Sequence, residues 1–505
     1  MIRALSDMSD GEPVRGTPVG VHCRKARRGL YRTSRTPRLP DLAGAHRPGN
    51  PAPPPPTPPV GLSCCSHRCG YFPTEIILCY LCLLDLQEYM LINFTVRNYR
   101  SFKEEKTFSM EAASTNDQEE SLIKVCGYRL LPVAVFYGAN SSGKSNLLSA
   151  IHTMRHIVVN SVRLNNDDEL PYDPFALDTV SGDRTTFFEI QFISRERVYR
   201  YGFEYTSTVI SSEWLYDKSS SDAVENELFL RSADEIEVSG EYFQEGVGKE
   251  GMTNSNRLFL SLVAQLKGEI SNALMKWFVT CNSLSGIDSG GYEGFTLRMF
   301  KEHLAGADEA QALFQSLQLG FSRFSVNTAS GFSKEDLDSL PDNLRETVEK
   351  DLAEGKIVEA TTSHLVYDAN GNVVGEREFP KDKMESEGTK KVIELSGPLF
   401  DTLISGKTLI VDELDSKLHP LLTRNIVLLF TNKESNKMGA QLIFATHDTN
   451  LLDTTILRRD EIWFAEKDKS EATDIYSLVE FCSQEGVIED NYIRGRYGAI
   501  PFIGK

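Results

Sequence analysis

The sequence predicts an α/β fold, and three stretches of its 505 residues carry that prediction. Gly138 to Ser145 (GANSSGKS) fits the pattern G-x-x-x-x-G-K-[ST] and stands between an apolar strand and a periodic helix. Thr408 to Asp415 (TLIVDELD) reads as an apolar strand that ends in carboxylates. From Ser386 onward helices and strands alternate, which is typical of α/β proteins.

Residues 1–89 differ in composition from the rest of the chain. They hold 13 of the 21 prolines and 6 of the 9 cysteines, and they carry a net charge of +4. We predict that they form a disordered tail or are upstream sequence read as protein, with Met90 as the authentic start. Their cysteines lack zinc-site spacing, and their longest apolar run is too short to span a bilayer.

The remaining residues, 90–505, carry a net charge of −22. Such an acidic body argues against a protein that coats nucleic acid through bulk charge, but it leaves a local basic groove possible. Its three cysteines are far apart, as is usual in a reducing compartment. The expectation is a cytoplasmic protein that does not contact membranes.

Residues 90–219 are predicted to form one lobe. Two strands are expected within Met90–Phe108, and the nearly continuous apolar run LLPVAVFY is expected to be a buried central strand. The further elements expected here are a helix at Lys144–Val158 and strands at Thr186–Ile193, Arg197–Tyr205 and Glu213–Tyr216.

Residues 220–384 are predicted to be a mainly helical insertion with polar loops at 217–226 and 283–293. A β-hairpin is expected at Ser363–Phe379, turning at Asp368–Gly371, where Asn-Gly supplies positive φ angles. Residues 385–505 would then form the second lobe. Helices are expected near 258–267, 271–279, 309–317 and 344–353.

The loop Gly138–Ser145 has the chemistry of a phosphate cradle. Gly138 and Gly143 let the backbone approach phosphate closely, and the N–H groups of Ser142 to Ser145 would point inward at a helix N-terminus. Lys144 would reach the β- and γ-phosphates, and the Ser145 hydroxyl would ligate Mg²⁺. The other predicted nucleotide contacts are Ala139, Asn140, Ser141 and Asn146. The alternative is a chance match on a glycine-rich turn, which the flanking elements disfavour.

Carboxylates at the end of the second motif complete this chemistry. Asp412 would hold Mg²⁺ through water, and Glu413 would polarise the attacking water. The alternative is that both acids merely cap a strand. Gln441 to His447 (QLIFATH) is a further apolar strand with a polar tip, where His447 would orient water or sense hydrolysis, although a histidine at a strand end is usually structural.

Ser386 and Gly388 stand just before a predicted helix. A Ser-x-Gly at a helix start is a good anion receptor. The simpler alternative is a plain N-cap, which the string alone favours.

In this order the motifs resemble ATPase heads of the ABC/SMC class. The resemblance implies a P-loop NTPase fold whose two halves are split by the insertion. It also implies that Ser386–Thr389 is a degenerate signature motif that contacts the γ-phosphate of ATP held by the partner subunit. Asp415 would lie in a loop that communicates across the dimer, and His447 would be the switch histidine. Gln191 is a candidate for the glutamine that couples the lobes.

A closer resemblance is to AAA-type ATPases found in bacterial phage-resistance and abortive-infection loci. NFTVRNYRSF, FYGANSSGKSNLLSAI, SEGTKK, LIVDELDSKLHP, IFATHDTNLLD and RGRYGAIPFIG carry it, and it covers about 90–505. It implies ATP and Mg²⁺, a homodimer or higher oligomer, and a separately encoded nuclease or toxin effector. The signature departs from Leu-Ser-Gly-Gly, because Glu385 to Gly388 read Glu-Ser-Glu-Gly.

Three other interpretations were weighed. A DNA-repair or chromosome-maintenance ATPase of the RecF/SMC type would act on nucleic acid, but such heads usually carry long heptad arms, which 206–385 do not show. A built-in nuclease would need more than the residues that follow His447. An AAA+ motor would keep the two motifs closer together and need an arginine finger that the sequence does not reveal.

Overall fold

The computed structural model describes residues 89–500 except 116–117, 234, 289, 330–349, 351, 353–356 and 482–486. The predictions for residues 1–88 therefore lie outside the described residues, as does the helix predicted at 344–353 except for residues 350 and 352, which are helical. None of the helices within the described ranges is both long and apolar enough to cross a membrane.

The first part of the chain is mostly β-structure. Strand β5 is followed directly by the phosphate-loop sequence and helix α1. The elements are β1 (Tyr89–Arg97), β2 (Lys106–Ser109), β3 (Ile123–Val125), β4 (Tyr128–Leu130), β5 (Val133–Tyr137), α1 (Lys144–Asn160), β6 (Thr186–Ser194), β7 (Arg197–Tyr205), β8 (Ile210–Lys218), β9 (Asn226–Ser232) and β10 (Glu235–Val238).

The second part alternates helices with strands. Its elements are α2 (Phe259–Gln265), α3 (Glu269–Thr280), β11 (Asn282–Ser285), α4 (Glu293–Lys301), α5 (Ala307–Ser316), β12 (Arg323–Thr328), β13 (Val358–Tyr367), β14 (Val373–Pro380), α6 (Lys381–Met384), α7 (Glu387–Ser405), β15 (Thr408–Asp412), α8 (Pro420–Thr431), β16 (Gln441–Ala445), β17 (Ile462–Lys467), β18 (Thr473–Ser477) and α9 (Ile488–Ile493).

A seven-stranded antiparallel sheet has the order β10-β9-β8-β7-β6-β1-β2. β6 (TFFEIQFIS) alternates apolar and polar residues, so that one face packs into the core while the other is half-exposed. The strands predicted at 186–193 and 197–205 are confirmed. β9 and β10 come from the stretch predicted to be a mainly helical insertion, yet they extend this sheet.

A six-stranded sheet has the order β11-β15-β16-β5-β17-β18 and carries both motifs. Its first five strands are parallel, and only the pairing of β17 with β18 is antiparallel. β11 was missed by the sequence analysis, which expected a polar loop at 283–293. Asn-Ser-Leu-Ser has little apolar character, and only pairing with β15 makes it a strand. The region 220–384 therefore contributes to both large sheets.

The two faces of this sheet bury different helices. Alternate residues of a strand point to opposite faces, so neighbouring positions of β15 and β16 enter different cores. One core joins Ile410 and Ile443 to the apolar face of α1. The other core joins Leu409 and Val411 to the apolar face of α7. Helices α1 and α7 therefore cover opposite faces of the same strands.

Two local predictions need correction. The run LLPVAVFY is divided between β4 and β5, because Pro132 has no N–H to donate to a ladder. The hairpin predicted at Ser363–Phe379 is confirmed, and because Tyr367 pairs with Val373, its loop is the predicted Asp368–Gly371 extended by Asn372. Asn370 does not have the positive φ predicted for Asn-Gly. Asp368 accepts hydrogen bonds from the backbone of Asn370 and Asn372, and the positive φ in this loop is the 83° of Gly371.

Candidate functional site

The loop Gly138–Ser145 joins the buried end of β5 to the first turn of α1. Gly143 has φ 106°, and a Cβ added there would lie 2.1 Å from Thr473 Oγ1. A Cβ added to Gly138 would lie 2.4 Å from Ala465 O. Both positions thus require glycine, because strand residues of β17 and β18 pack against the loop. The close approach of both glycines to phosphate stays a prediction.

Polar side chains from distant parts of the chain brace this loop. Thr473 Oγ1 donates to Ser142 O at 2.9 Å and lies 2.7 Å from Ser101 Oγ. Asn146 Nδ2 donates to the same Ser101 oxygen at 2.8 Å. The sequence analysis missed Ser101 and Thr473, because only the tertiary fold brings them to the loop. It also expected the Ser142 N–H to face phosphate, whereas this N–H donates to Ala139 O at 3.1 Å.

Lys144 is almost fully buried beneath the loop, with 6% of its surface exposed. Its Nζ donates to Gly138 O at 2.7 Å and to Ala139 O at 3.1 Å. Burial lowers the pKa of Lys144, and the carboxylates of Asp412, Glu413 and Asp415 act in the opposite direction. The lysine and the three predicted acids therefore share one electrostatic environment, although they are far apart in sequence.

The carboxylates stand at the carboxyl end of β15. Asp412 is the last residue of the strand, and Glu413 takes a left-handed conformation with φ 54°. Asp412 Oδ1 is buried and accepts no hydrogen bond among the described residues. The same holds for Ser142 Oγ, Asp415 Oδ1 and Asp448 Oδ2. Buried oxygens without partners are rare, and carboxylate oxygens are ligands that Mg²⁺ prefers, so Asp412 fits the predicted metal. The Ser142 hydroxyl is the one group of this set that could donate a hydrogen bond to a phosphate.

His447 lies just beyond β16 at the same edge of the sheet. Its backbone N–H donates to Asp415 Oδ2 at 3.3 Å, which ties the loop after β15 to the loop after β16. The residue His447 is exposed to solvent. Nearby, Tyr137 OH donates to Asp448 O at 2.8 Å and so fixes the chain after His447 to the end of β5. The ends of three neighbouring strands thus meet at the loop.

Ser386 and Gly388 are placed elsewhere. Ser386 caps α7, and its Oγ accepts a hydrogen bond from Thr389 N at 3.2 Å, so the plain N-cap interpretation describes its contacts within the chain. Among the described residues, no hydrogen bond or ion pair joins Ser386–Thr389 to Gly138–Ser145. α7 and α1 lie on opposite faces of the central sheet. Ser386 and Glu387 are exposed, and the fold does not bring the segment to the phosphate loop of the same chain.

Gln191 does not reach the site. It lies within β6, where its Oε1 accepts from Asn93 Nδ2 at 2.9 Å and its Nε2 donates to Tyr128 OH at 3.2 Å. A glutamine that does link the two large sheets is Gln441, which the sequence analysis treated only as the start of a strand. Its side chain bonds both Leu91 N, at 2.6 Å, and Leu91 O, at 3.0 Å.

A cleft of about 640 Å³ opens beside the phosphate loop. Ser101 and Asn146 belong both to its wall and to the bracing of the loop described above. Its other walls carry the aromatic side chains of Tyr172 and Phe175 and two ion pairs, Arg100–Asp173 and Lys467–Glu471. A cleft with aromatic and polar walls next to a phosphate cradle is the right kind of space for a nucleoside.

No curated protein matches the sequence. Among solved structures, an SMC head bound to the C-winged helix domain of ScpA is similar over 78% of this chain and 98% of its own, at 13% identity and a TM-score of 0.36. An SMC head domain from Thermotoga maritima is similar over 77% and 98%, at 12% identity and a TM-score of 0.32.

A family model matches residues 133–263 and 295–453, which together make up more than half of the chain. The matched ranges include the phosphate loop, Ser386–Thr389, the strand that ends at Asp412, and His447. The match confirms the AAA-type family that the motifs resemble, and the six-stranded sheet with its loop is the P-loop NTPase fold. The chain therefore belongs to the family described as "AAA domain, putative AbiEii toxin, Type IV TA system".

Proposed function

We propose that this AAA-family protein binds ATP with Mg²⁺ and hydrolyses it in a dimer in which each subunit completes the other's site. The observation that carries the proposal is the convergence of buried Lys144 with Asp412, Glu413 and Asp415 at one edge of a parallel sheet. That edge is where open α/β sheets bind ligands. The buried carboxylate oxygen of Asp412, which has no partner among the described residues, is the kind of ligand that Mg²⁺ needs.

Each residue has a role that follows from its position. Lys144 would neutralise charge on the β- and γ-phosphates, and the first-turn N–H groups of α1 would bind phosphate oxygens, because a helix cannot satisfy them internally. Ser145 and Asp412 would hold Mg²⁺, which when bound neutralises charge that develops on the phosphates. Glu413 would accept a proton from the attacking water, and His447 would help to orient that water.

The second subunit would contribute its segment Ser386–Thr389 to the nucleotide site. This segment is an exposed helix start with a Ser-x-Gly sequence, and its own subunit leaves it away from the phosphate loop. A helix N-terminus attracts anions through its free N–H groups and its dipole. The γ-phosphate held by a partner subunit is therefore the ligand that we assign to it, with Asp415 near the same interface.

At the cellular level, we propose that the dimer controls a separately encoded toxic effector in an anti-phage or abortive-infection system. The family description, which names a toxin–antitoxin system, supports this role. The net charge of −22 on residues 90–505 disfavours the alternative, a DNA-repair or chromosome-maintenance ATPase that coats DNA through bulk charge.

The proposed function is tested with Glu413→Gln. Replacement of the base should leave ATP binding intact and lower turnover by about 100-fold or more, because general-base catalysis contributes that much. The variant should also accumulate as an ATP-dependent dimer, measured by light scattering. Glu376→Gln, on the exposed strand β14, is the matched control and should hydrolyse ATP like the wild type. Unchanged hydrolysis in Glu413→Gln would remove the assignment of the base.

A further inference from the structure

The start of α7 contacts the loop that follows β15. A Cβ added to Gly388 would lie 3.0 Å from Lys417 O, so the helix backbone and the loop backbone are in close contact. The side chains of Glu387 and Lys417 form an ion pair of 3.0 Å above that contact. This surface contact is one link between the segment Ser386–Thr389 and the loop that carries Glu413.

A second link is buried and starts one turn further along α7. Lys391 is only 3% exposed, and its Nζ donates to the hydroxyl of Tyr292. The ammonium also lies 5.1 Å from the centre of the Tyr292 ring. Among the described residues Lys391 forms no ion pair, and Glu394, one turn away, is paired with Lys381 at 3.5 Å. Burial lowers the pKa of Lys391, and the charge of Glu394 acts in the opposite direction.

Tyr292 carries this link to the central sheet. Its hydroxyl donates to Ser285 O at 3.4 Å, at the end of β11. Ser285 is in register with Asp412, and the next residue, Gly286, donates its N–H to Asp412 O at 2.6 Å. A Cβ added to Gly286 would lie 1.9 Å from Glu413 O. The backbone of Glu413, with its positive φ, is therefore pressed against the residue that follows β11.

A purely structural role explains this arrangement poorly. A buried ammonium that faces a neutral phenol costs free energy, and the positive end of a helix disfavours a cation in its first turns. A methionine of similar length would fill the same space without that cost. The lysine instead fixes Tyr292 in one orientation through a charge-assisted hydrogen bond, and a fixed Tyr292 fixes the end of β11.

We propose that Lys391 and Tyr292 are positioning residues that couple the start of α7 to the backbone of Glu413. Contact between Ser386–Thr389 and the partner's nucleotide would then be transmitted to the carboxylate that activates water in the same subunit. This inference rests on the proposed function, and it adds a route by which occupancy of one site would regulate the other.

The test uses Tyr292→Phe and Lys391→Met in the full chain. Tyr205→Phe is the matched control, because Tyr205 is also buried and its hydroxyl also donates to a backbone carbonyl, Pro171 O at 3.0 Å, within the antiparallel sheet. Both coupling variants should show kcat lowered about tenfold with KM for ATP unchanged, as expected when a catalytic group is misplaced but binding is intact. The double variant should be no slower than the slower single variant, since the two residues act in one chain of contacts.

Hydrogen exchange provides a readout that does not depend on turnover. Without nucleotide, amides of Leu414, Ser416 and Leu418 should exchange about tenfold faster in both variants than in the wild type, while amides of α1 stay unchanged. Equal exchange in wild type and variants, or additive losses of kcat, would overturn the inference. If the wild type hydrolyses no ATP, the proposed function fails, and the exchange measurement still decides whether Lys391 and Tyr292 hold the Glu413 loop.

Discussion

The phosphate loop and the segment Ser386–Thr389 are both helix starts on the same sheet, but they differ in what surrounds them. The loop is packed against β17 and β18 and has a buried lysine beneath it. The Ser386 segment begins with two exposed residues, and its only contacts described above are the Ser386 N-cap and the contacts of Glu387 and Gly388 with Lys417. In our proposal the loop is therefore a site that one chain assembles alone, whereas the Ser386 segment is a surface that a second chain would complete.

We expect the greatest loss of ATP affinity from Lys144→Ala, which changes the phosphate loop and leaves the Ser386 segment intact. Removal of a buried cation that would bond two phosphates should weaken ATP binding by about 100-fold or more, measured by isothermal titration calorimetry. Lys407→Ala removes a lysine that pairs with Asp401 at 2.9 Å near the opposite end of β15, and it should bind ATP like the wild type. Equal affinity of Lys144→Ala and the wild type would contradict an assembled site.

A smaller effect is expected at the exposed region. Ser386→Ala should leave the affinity of each subunit for ATP within about twofold while weakening ATP-dependent dimerisation about tenfold, because one polar contact at the interface is lost. Ser477→Ala is the matched control, since Ser477 also caps a helical turn. Both variants should lose about 1 kcal/mol of stability. If both also dimerise equally well with ATP, Ser386 has no role beyond capping its helix.

The smallest change in ATP affinity is expected from a substitution that removes one hydrogen bond to the phosphate loop. Thr473→Val removes the hydroxyl that donates to Ser142 O and should weaken ATP binding about fivefold, the value of one neutral hydrogen bond. Thr402→Val is the control, because Thr402 Oγ1 is buried without a partner and its loss should change nothing at the loop. A Thr473 variant that binds as tightly as the Thr402 variant would show that the bracing is dispensable.

The motifs could be predicted from the sequence, whereas the residues that surround them in the fold could not. The phosphate loop, the strand before Asp412 and the helix after Ser386 were predicted, because each has a local pattern of glycine, apolar residues or caps. β11 was not predicted, since Asn282–Ser285 is a strand only beside β15. Ser101, Thr473 and Gly286 could not be assigned either, because each acts through a contact with a residue far away in the chain.

Even at the loop, local reasoning missed part of the geometry. The Ser142 N–H was expected to face phosphate, but the turn to Ala139 O takes it. The hairpin loop includes Asn372 in addition to the predicted Asp368–Gly371, because Asp368 accepts a hydrogen bond from the backbone N–H of Asn372. In both cases a short-range hydrogen bond outweighs the preference that the residue type suggests.

The central claim is that two copies face each other with nucleotide between them, and cysteine cross-linking tests it most directly. One Glu413→Gln chain carries Met384→Cys, beside Ser386, and a second Glu413→Gln chain carries Asn140→Cys, at the exposed tip of the phosphate loop. The two chains are mixed and treated with a short bismaleimide. Glu413→Gln without an added cysteine is the background control. We expect a cross-linked heterodimer whose yield increases at least about tenfold with ATP. Cross-linking that is the same with and without ATP, or confined to single chains, would contradict it.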